Sequence, residues 1–345
     1  MTPTPDVPRF HSAELRRIGR YSYLTTQWHG AETCKLILGN GAQEPTHRSQ
    51  QRADALRGAV PNSFLPELPE VLYFGDCLVD GARRHCLIRP FVPGLSLTDY
   101  VSKLECGQVS GDLAALGRQI GTALQVFHSL SAADASWCGQ ARPPIADWIR
   151  QTADNVRHTL GLIEQAPSGR SHTRLSRGEL ERIRALLPDA AVATECTSGS
   201  RLVHGDLHGG NLIVDQQGAE WSLAAIIDEG LSAGDPQYDL VTLISWSTEV
   251  LTPRDRDLFC SALVEAYPSH HDFTANHPGV AQLYHLDRSL GRLAYFLPTA
   301  GLDGWMDGFG SHRLDRHLDL IRSLLEPGRP TAGSHFSPIR TTTED

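Results

Sequence analysis

The chain has 345 residues, of which 40% are hydrophobic and 21% charged, and its formal net charge is −9 at pH 7. This composition is typical of a globular protein with room for two domains or lobes. Nucleic-acid and anionic-membrane binding are disfavoured because both need a cationic surface, and no apolar run approaches the roughly 18 residues that span a bilayer. The start, MTPTPDVPRF, lacks the basic and apolar regions of a signal peptide, so we expect a cytoplasmic protein.

The first part of the chain has the pattern of a small antiparallel sheet with one helix. Between Glu14 and Leu38 lie three β-like runs, ELRRIGR, YSYLTTQW and TCKLIL. A helix is predicted over 46–60. Two further strands, LPEVLYFG and RHCLIRPFV, are separated by a turn at Asp80 and Gly81.

Helical periodicity begins after the Pro-Gly pair at Pro93. The helices are predicted at 111–130, 144–165, 177–187, 236–249, 253–267, 279–297 and 312–325. The tail is rich in Pro, Gly, Ser and Thr, which predicts disorder. We therefore predict an α+β protein with three parts, a sheet-containing lobe at 1–92, a larger helical lobe at 93–326 and a disordered tail at 327–345. The hinge between the lobes is expected at about 89–94.

Within the helical lobe, the stretch LVHGDLHGGNLIVD (202–215) places polar residues and glycines between apolar flanks. Asp206 and Asn211 are five positions apart on this loop. Asp228 ends a second apolar segment, LAAIIDEG, that is separated from the first by a predicted turn at DQQG (215–218). One amide oxygen and one carboxylate make a half-site for Mg²⁺, which completes its shell with water and substrate phosphates. Asp206 is then left to accept a proton.

A lysine on the other lobe completes the set of groups that phosphoryl transfer needs. The chain has two lysines, and Lys35 is the one that lies on a predicted strand of the first lobe, before the hinge. In this chemistry a carboxylate orients and deprotonates the acceptor hydroxyl, while metal ions and a lysine neutralise the phosphates. There is no GxxxxGK[ST] motif, so a P-loop enzyme is excluded.

The combination of HGDLHGGN, IID and GDPQYDL resembles the signature of the aminoglycoside phosphotransferase family, and the region after GDPQYDL is most similar to hygromycin-type members. The resemblance covers most of the chain. It implies a bilobal protein-kinase-like fold and an enzyme that uses ATP or GTP with Mg²⁺. The acceptor it implies is a hydroxyl of a small molecule, an antibiotic of aminoglycoside, aminocyclitol or nucleoside type, in resistance or self-protection. No protein substrate is expected, because Gly234 follows Asp228 by only six positions.

The resemblance also implies roles for individual residues. By position, Asp206 is the catalytic base, Asn211 and Asp228 are the Mg²⁺ ligands, and Lys35 binds the phosphates. Phe91 and Val92 are implied at the hinge that binds the adenine. His204, Asp235 and Asp239 are implied as supports of the catalytic loop.

Two parts of the family pattern are weak in this sequence. The first strands carry no GxG, so Ser22 and nearby backbone N–H groups are the candidates to cap the phosphates. The helix that should offer a glutamate to Lys35 has Gln51 or Arg52 at the expected place, which leaves the partner of Lys35 open. Candidate acceptor-binding residues are His208, Glu229, Asp303 and Asp307.

Two other functions remain open at this point. A metabolic kinase of the same fold, for choline, homoserine or a sugar, would use the same catalytic residues, since acceptor specificity lies elsewhere in the helical lobe. A non-catalytic nucleotide-binding pseudokinase is favoured by the missing glycine loop and glutamate. It is opposed by the presence of Lys35, Asp206, Asn211 and Asp228 together.

Overall fold

The computed structural model describes eleven ranges of the chain. They are 9–10, 16–18, 21–28, 31–39, 72–129, 145–165, 175–187, 200–227, 232–269, 278–295 and 311–326. The predicted helix at 46–60 and the predicted disordered tail at 327–345 lie outside these ranges. Within them, no helix is long and apolar enough to span a membrane.

The N-terminal lobe contains a six-stranded sheet. Its strands are β1 (Arg9–Phe10), β2 (Arg16–Ile18), β3 (Tyr21–Trp28), β4 (Ala31–Gly39), β5 (Tyr73–Val79) and β6 (Ala82–Pro90). Their spatial order is β1-β5-β6-β4-β3-β2, and every neighbouring pair is antiparallel except β1 and β5. The β5–β6 hairpin turns at Asp80 and Gly81, which both adopt positive φ, as two-residue hairpin turns require.

The C-terminal lobe is mainly helical. Its helices are α1 (Leu97–Glu105), α2 (Leu113–Ser129), α3 (Ile145–Gln165), α4 (Arg177–Leu186), α5 (Pro236–Val250), α6 (Pro253–Glu265), α7 (Pro278–Tyr295) and α8 (Ser311–Leu324). Oxygen-bearing N-cap side chains begin several of them, among them Ser176, Asp235 and Thr252, and proline follows the last two caps. Such side chains satisfy the free N–H groups of the first turn, and proline at the first helical position needs no N–H partner.

Two small sheets lie among these helices. Strands β7 (Leu95–Ser96), β9 (Leu212–Gln217) and β10 (Glu220–Ile226) form one, in the order β10-β9-β7. Strands β8 (Arg201–Val203) and β11 (Ser232–Gly234) form the other. The loop that joins β8 to β9 is therefore held at both ends by paired strands.

The buried apolar side chains form two clusters. One is built by α3, α4, α5, α7 and α8 and includes the fully buried Tyr284 and Leu290. The other lies between α1, α2, α5, α6 and the β9–β10 hairpin and includes Leu207 and Leu212. Burial of this apolar surface is the main favourable term that holds the elements together. Because α5 contributes to both clusters, it fixes the β8–β9 loop relative to α7.

The α+β class is confirmed, with a small sheet preceding a larger helical lobe. Two local expectations were less accurate, and one helix was not expected. The strand expected at 68–75 is β5, which runs to Val79, because Gly75 continues the ladder opposite Cys86. The turn expected at 215–218 comes later, because β9 continues to Gln217. Helix α1, capped by Ser96, was not predicted at all.

Candidate active site

The residues His204 to Asn211 connect β8 to β9 and form the loop that we expect to be catalytic. A short 3₁₀ turn, Gly209–Asn211, ends the loop. Gly205 adopts φ +83°, a conformation that side-chain-bearing residues rarely take. A Cβ at Gly209 would overlap the ring of Trp246, so the loop passes too close to α5 for any side chain there.

Asp239 anchors the start of this loop from the first turn of α5. Its Oδ2 accepts the backbone N–H of His204 at 2.6 Å, and its Oδ1 accepts the N–H of Gly205 at 2.9 Å. Its side chain is fully buried, and His128 Nε2 lies 3.1 Å from Oδ2. Burial alone would raise the pKa of Asp239, but the hydrogen bond and charge of His128 outweigh it and lower that pKa. A buried carboxylate therefore fixes the direction in which the loop leaves β8.

His204 connects the loop to the end of β10. Its Nε2 lies 3.0 Å from the carbonyl oxygen of Ile227, and its Nδ1 accepts the N–H of Asp206 at 3.3 Å. Both contacts are satisfied when the ring proton is on Nε2. The imidazole is 1% exposed, so the arrangement is rigid. The geometry is that of a residue that braces the loop.

The side chain of Asp206 points out of the loop and is 55% exposed. Arg288 Nη2 donates to its Oδ1 at 3.0 Å, and His208 Nε2 lies 3.8 Å from its Oδ2. Desolvation raises the pKa of Asp206, but the charges of the nearby Arg288 and His208 lower it by more. The pKa of Asp206 therefore lies below its ordinary value. The group is an accessible, ionised carboxylate that is ready to accept a proton.

His208 sits beside this carboxylate in neutral form. Burial lowers its pKa to about 4, against the opposing effect of Asp206. Its Nδ1 accepts the N–H of Gly210 at 3.0 Å, which leaves the ring proton on Nε2. That N–H faces Asp206, where it can donate to an acceptor or phosphoryl oxygen.

Asn211 has the orientation that a metal ligand needs. Its side-chain nitrogen donates to the carbonyl oxygen of Asp206 at 2.9 Å, so the amide oxygen is the atom that remains for a cation. Its backbone oxygen accepts the N–H of Ile227 at 2.9 Å. Asp228 follows Ile227 directly in the chain and lies outside the described residues. The donor chemistry at Asn211 is thus compatible with Mg²⁺.

Asp235, a second candidate for loop support, caps α5. Its Oδ1 accepts the N–H of Gln237 at 3.0 Å, and its Oδ2 accepts the hydroxyl of Tyr284 on α7 at 2.9 Å. The side chain is 6% exposed. Asp235 therefore joins α5 to α7, behind the loop.

The remaining sequence-predicted residues are described in part or not at all. Lys35 lies on β4 opposite Thr25 and Arg89, and Ser22 lies on β3. Phe91 and Val92 follow β6, and the side chain of Phe91 is 44% exposed. Outside the described residues lie Asp228, Glu229, Asp303 and Asp307.

Sequence reasoning missed Arg288, which lies on α7 beside Asp206. Its guanidinium lies 6.0 Å from the centroid of the Tyr238 ring, and the Tyr238 hydroxyl donates to Asp287 at 2.8 Å. The available signal was a pair of arginines, Arg288 and Arg292, four positions apart on this helix.

A cleft of about 360 Å³ opens between α3 and α7 next to this arginine. The residues that line it are Asn155, His158, Thr159, Asp287, Arg288, Gly291 and Arg292. Arg288 belongs both to this cleft and to the surroundings of Asp206. Arg288 therefore connects this cleft to the carboxylate of Asp206.

The comparison with protein families gives one match. The APH model, described as a phosphotransferase enzyme family, matches residues 19–273. Those residues include β3, β4 and the whole β8–β9 loop. Among curated protein sequences, none matches the chain significantly.

Solved structures of several small-molecule kinases share the fold. An ethanolamine kinase of Plasmodium vivax is 12% identical with a TM-score of 0.53, covering 90% of this chain and 81% of that chain. A microcompartment-associated aminopropanol kinase is 14% identical with a TM-score of 0.53, covering 90% and 92%. The GDP and kanamycin complex of APH(2″)-IIia is 14% identical with a TM-score of 0.50, covering 89% and 91%. At these identities the likeness concerns the fold.

Proposed function

The chain belongs to the phosphotransferase enzyme family, and from this premise we propose that it transfers the γ-phosphoryl group of ATP or GTP to a hydroxyl of a small molecule. The observation that carries the proposal is the position of Asp206. Its carboxylate is exposed on a loop that Asp239 and His204 hold rigidly, and it contacts Arg288, which lines a cleft of about 360 Å³. Rigid placement of a base beside a binding cleft is what general-base catalysis needs.

In the proposed mechanism, Asp206 orients the acceptor hydroxyl and takes its proton while the oxygen attacks the γ-phosphorus. The bond from the γ-phosphorus to the oxygen of the β-phosphate breaks at the same time, and ADP or GDP leaves. His208, neutral and with its N–H on this side, donates to an oxygen of the acceptor or the phosphoryl group. Asn211 and Asp228 would hold Mg²⁺, which when bound neutralises charge on the phosphates. Lys35 would bind the phosphates from the N-terminal lobe, with Ser22 as the candidate cap. The backbone at Phe91 and Val92 would hold the adenine or guanine.

The acceptor class has two candidates. An antibiotic, of aminoglycoside, aminocyclitol or nucleoside type, is supported by the resemblance of HGDLHGGN and GDPQYDL to aminoglycoside phosphotransferases. A metabolic alcohol is supported by the modest volume of the cleft, about 360 Å³, at the lower end of the range for ligand sites. Glu229, Asp303 and Asp307 are further acceptor-binding candidates. We place the enzyme in the cytoplasm, where its nucleotide donors are found.

The test is nucleotide consumption by the purified protein with Mg²⁺ and either ATP or GTP. The acceptor panel contains aminoglycosides, nucleoside antibiotics and metabolic alcohols, and mass spectrometry detects the added phosphate. One phosphorylated class would support the proposal and select the acceptor. A protein that binds nucleotide but neither consumes it nor phosphorylates any acceptor would instead be the nucleotide-binding pseudokinase.

A further inference from the structure

Two arginines one helical turn apart line the same wall of the cleft. Arg288 and Arg292 are four positions apart on α7, so their side chains lie on one face of the helix. Their side chains are 20% and 32% exposed. The part of the cleft nearest Asp206 is therefore cationic on its α7 side.

Each arginine contacts an acid among the described residues. Arg288 contacts Asp206 through Nη2 and also interacts electrostatically with Tyr238 and Asp287, while Arg292 contacts Glu249 through Nε at 3.4 Å. A guanidinium carries five N–H donors, which is more than these contacts use. Glu249 is 4% exposed. The arginine side chains themselves form the surface of the cleft.

The other described residues of the cleft include one acid. This is Asp287, whose Oδ2 accepts the hydroxyl of Tyr238 at 2.8 Å. Burial raises the pKa of Asp287. The α3 wall contributes the polar side chains of Asn155, His158 and Thr159. An anion placed between α3 and α7 meets two cations and several hydrogen-bonding groups.

We propose that the acceptor carries a carboxylate or phosphate group close to its reacting hydroxyl, and that Arg288 and Arg292 bind this group. The proposal rests on the proposed function, because it places the acceptor in the cleft beside Asp206. Arginine binds planar oxyanions through paired hydrogen bonds, and two arginines at this spacing can share one such group. Since Arg288 contacts Asp206 directly, only a few bonds separate the acceptor's anionic group from its hydroxyl.

Binding of an anion by Arg288 would also change the contacts of Asp206. An anion on Arg288 competes with Asp206 for the same guanidinium and so leaves Oδ1 of Asp206 for the hydroxyl proton. The guanidinium groups of Arg288 and Arg292 offer a polycationic aminoglycoside no acceptor for its ammonium groups. Within the proposed acceptor classes, the cleft therefore favours anionic antibiotics or metabolites.

The first test measures binding without turnover. Malonate and inorganic phosphate are titrated by calorimetry into the protein saturated with Mg²⁺-ADP, so that the nucleotide site is occupied. Arg292→Gln should weaken binding of the preferred anion by roughly tenfold, the effect of one charge-assisted hydrogen bond. Arg256→Gln is the matched control, because Arg256 is 36% exposed and pairs with Asp257 at 3.1 Å on α6. It should change binding less than twofold.

The two probes distinguish a carboxylate site from a phosphate site. If neither anion binds, or if Arg292→Gln binds both as tightly as the wild type, the anion site is refuted. Circular dichroism of each variant checks that its fold is intact.

A second test uses turnover with acceptors matched in pairs, homoserine with homoserine amide and glycerol 3-phosphate with glycerol. The anionic member should have the lower KM, and Arg292→Gln should raise that KM by a larger factor than it changes the KM of the neutral member. Efficient phosphorylation of cationic amino sugars with a KM that ignores Arg292 would refute the anionic acceptor and leave the proposed function standing. Anion binding without phosphorylation of any alcohol would refute the proposed function instead.

Discussion

Arg288 Nη2 donates a 3.0 Å hydrogen bond to Oδ1 of Asp206, although 82 positions separate the two residues in the sequence. The carboxylate is more than half exposed, and exposed ion pairs stabilise folded proteins by ~0–1 kcal/mol. Stability therefore does not explain the pair. Its consequence is chemical, because it holds the proposed base in its charged form and connects that base to the cleft between α3 and α7.

Replacing Arg288 should change the pH dependence of the reaction. Arg288→Gln removes the charge that holds the pKa of Asp206 down, so that pKa should rise. The acid limb of kcat/KM, where the base becomes protonated, should then move to higher pH. Profiles of the wild type, Arg288→Gln and the control Arg256→Gln would show this, and an unmoved acid limb in Arg288→Gln would refute the coupling.

His208 should remain neutral across the working pH range. Its pKa is lowered to about 4, so its ring should not titrate between about pH 5.5 and 8. NMR titration of the histidine ring protons measures this, with the His208 signal assigned from its loss in His208→Gln. Titration near the ordinary value of 6.5 would contradict the half-buried, neutral ring.

Gly209 should tolerate no side chain. In Gly209→Ala the new methyl group overlaps Trp246, so the loop or α5 must shift, at an expected cost of about 1–3 kcal/mol in the free energy of unfolding. Gly161→Ala on α3 is the control, since open space surrounds Gly161. It should be neutral or stabilising by up to about 1 kcal/mol. Chemical denaturation compares the two variants, and equal effects would contradict the close approach.

The buried carboxylate of Asp239 should make the free energy of unfolding depend on pH. Its folded pKa lies below the ordinary 3.8, so its contribution is present above that pH and lost as the pH falls through the folded value. Asp239→Asn replaces one acceptor oxygen with an N–H donor and should lower the free energy of unfolding by about 1–3 kcal/mol near pH 7. The difference from the wild type should shrink below about pH 4. A difference that stays constant with pH would mean that the charge of Asp239 is not involved.

Local pattern predicted most of the helical lobe. Seven of the eight helices in the described residues of this lobe were expected within a few residues of their bounds, because each has a clear apolar face or cap. Helix α1 was missed because Pro93 and Gly94 suggested a loop, although Ser96 and Asp99 carry an N-cap signal. The end of β5 was misjudged because Gly75 usually marks a turn, whereas pairing with β6 carries the strand past it.

The candidate site could be predicted from the sequence only where its parts are close in the chain. The motif around Asp206 and Asn211 is local, and the prediction of a phosphotransferase is confirmed by the family match over 19–273. The contact with Arg288 could not be predicted, because it depends on how α7 packs against α5 and α3.

The most direct test of the account is the turnover of Asp206→Asn with the acceptor found in the panel. The variant keeps the shape of the side chain and removes its basicity. Loss of the general base should lower kcat by about 10²–10⁴-fold, while Mg²⁺-nucleotide affinity stays within a few-fold. Asp215→Asn, a nearby change on β9, should leave both unchanged. If Asp206→Asn turned over at the wild-type rate, Asp206 would not be the base and the proposed mechanism would be wrong.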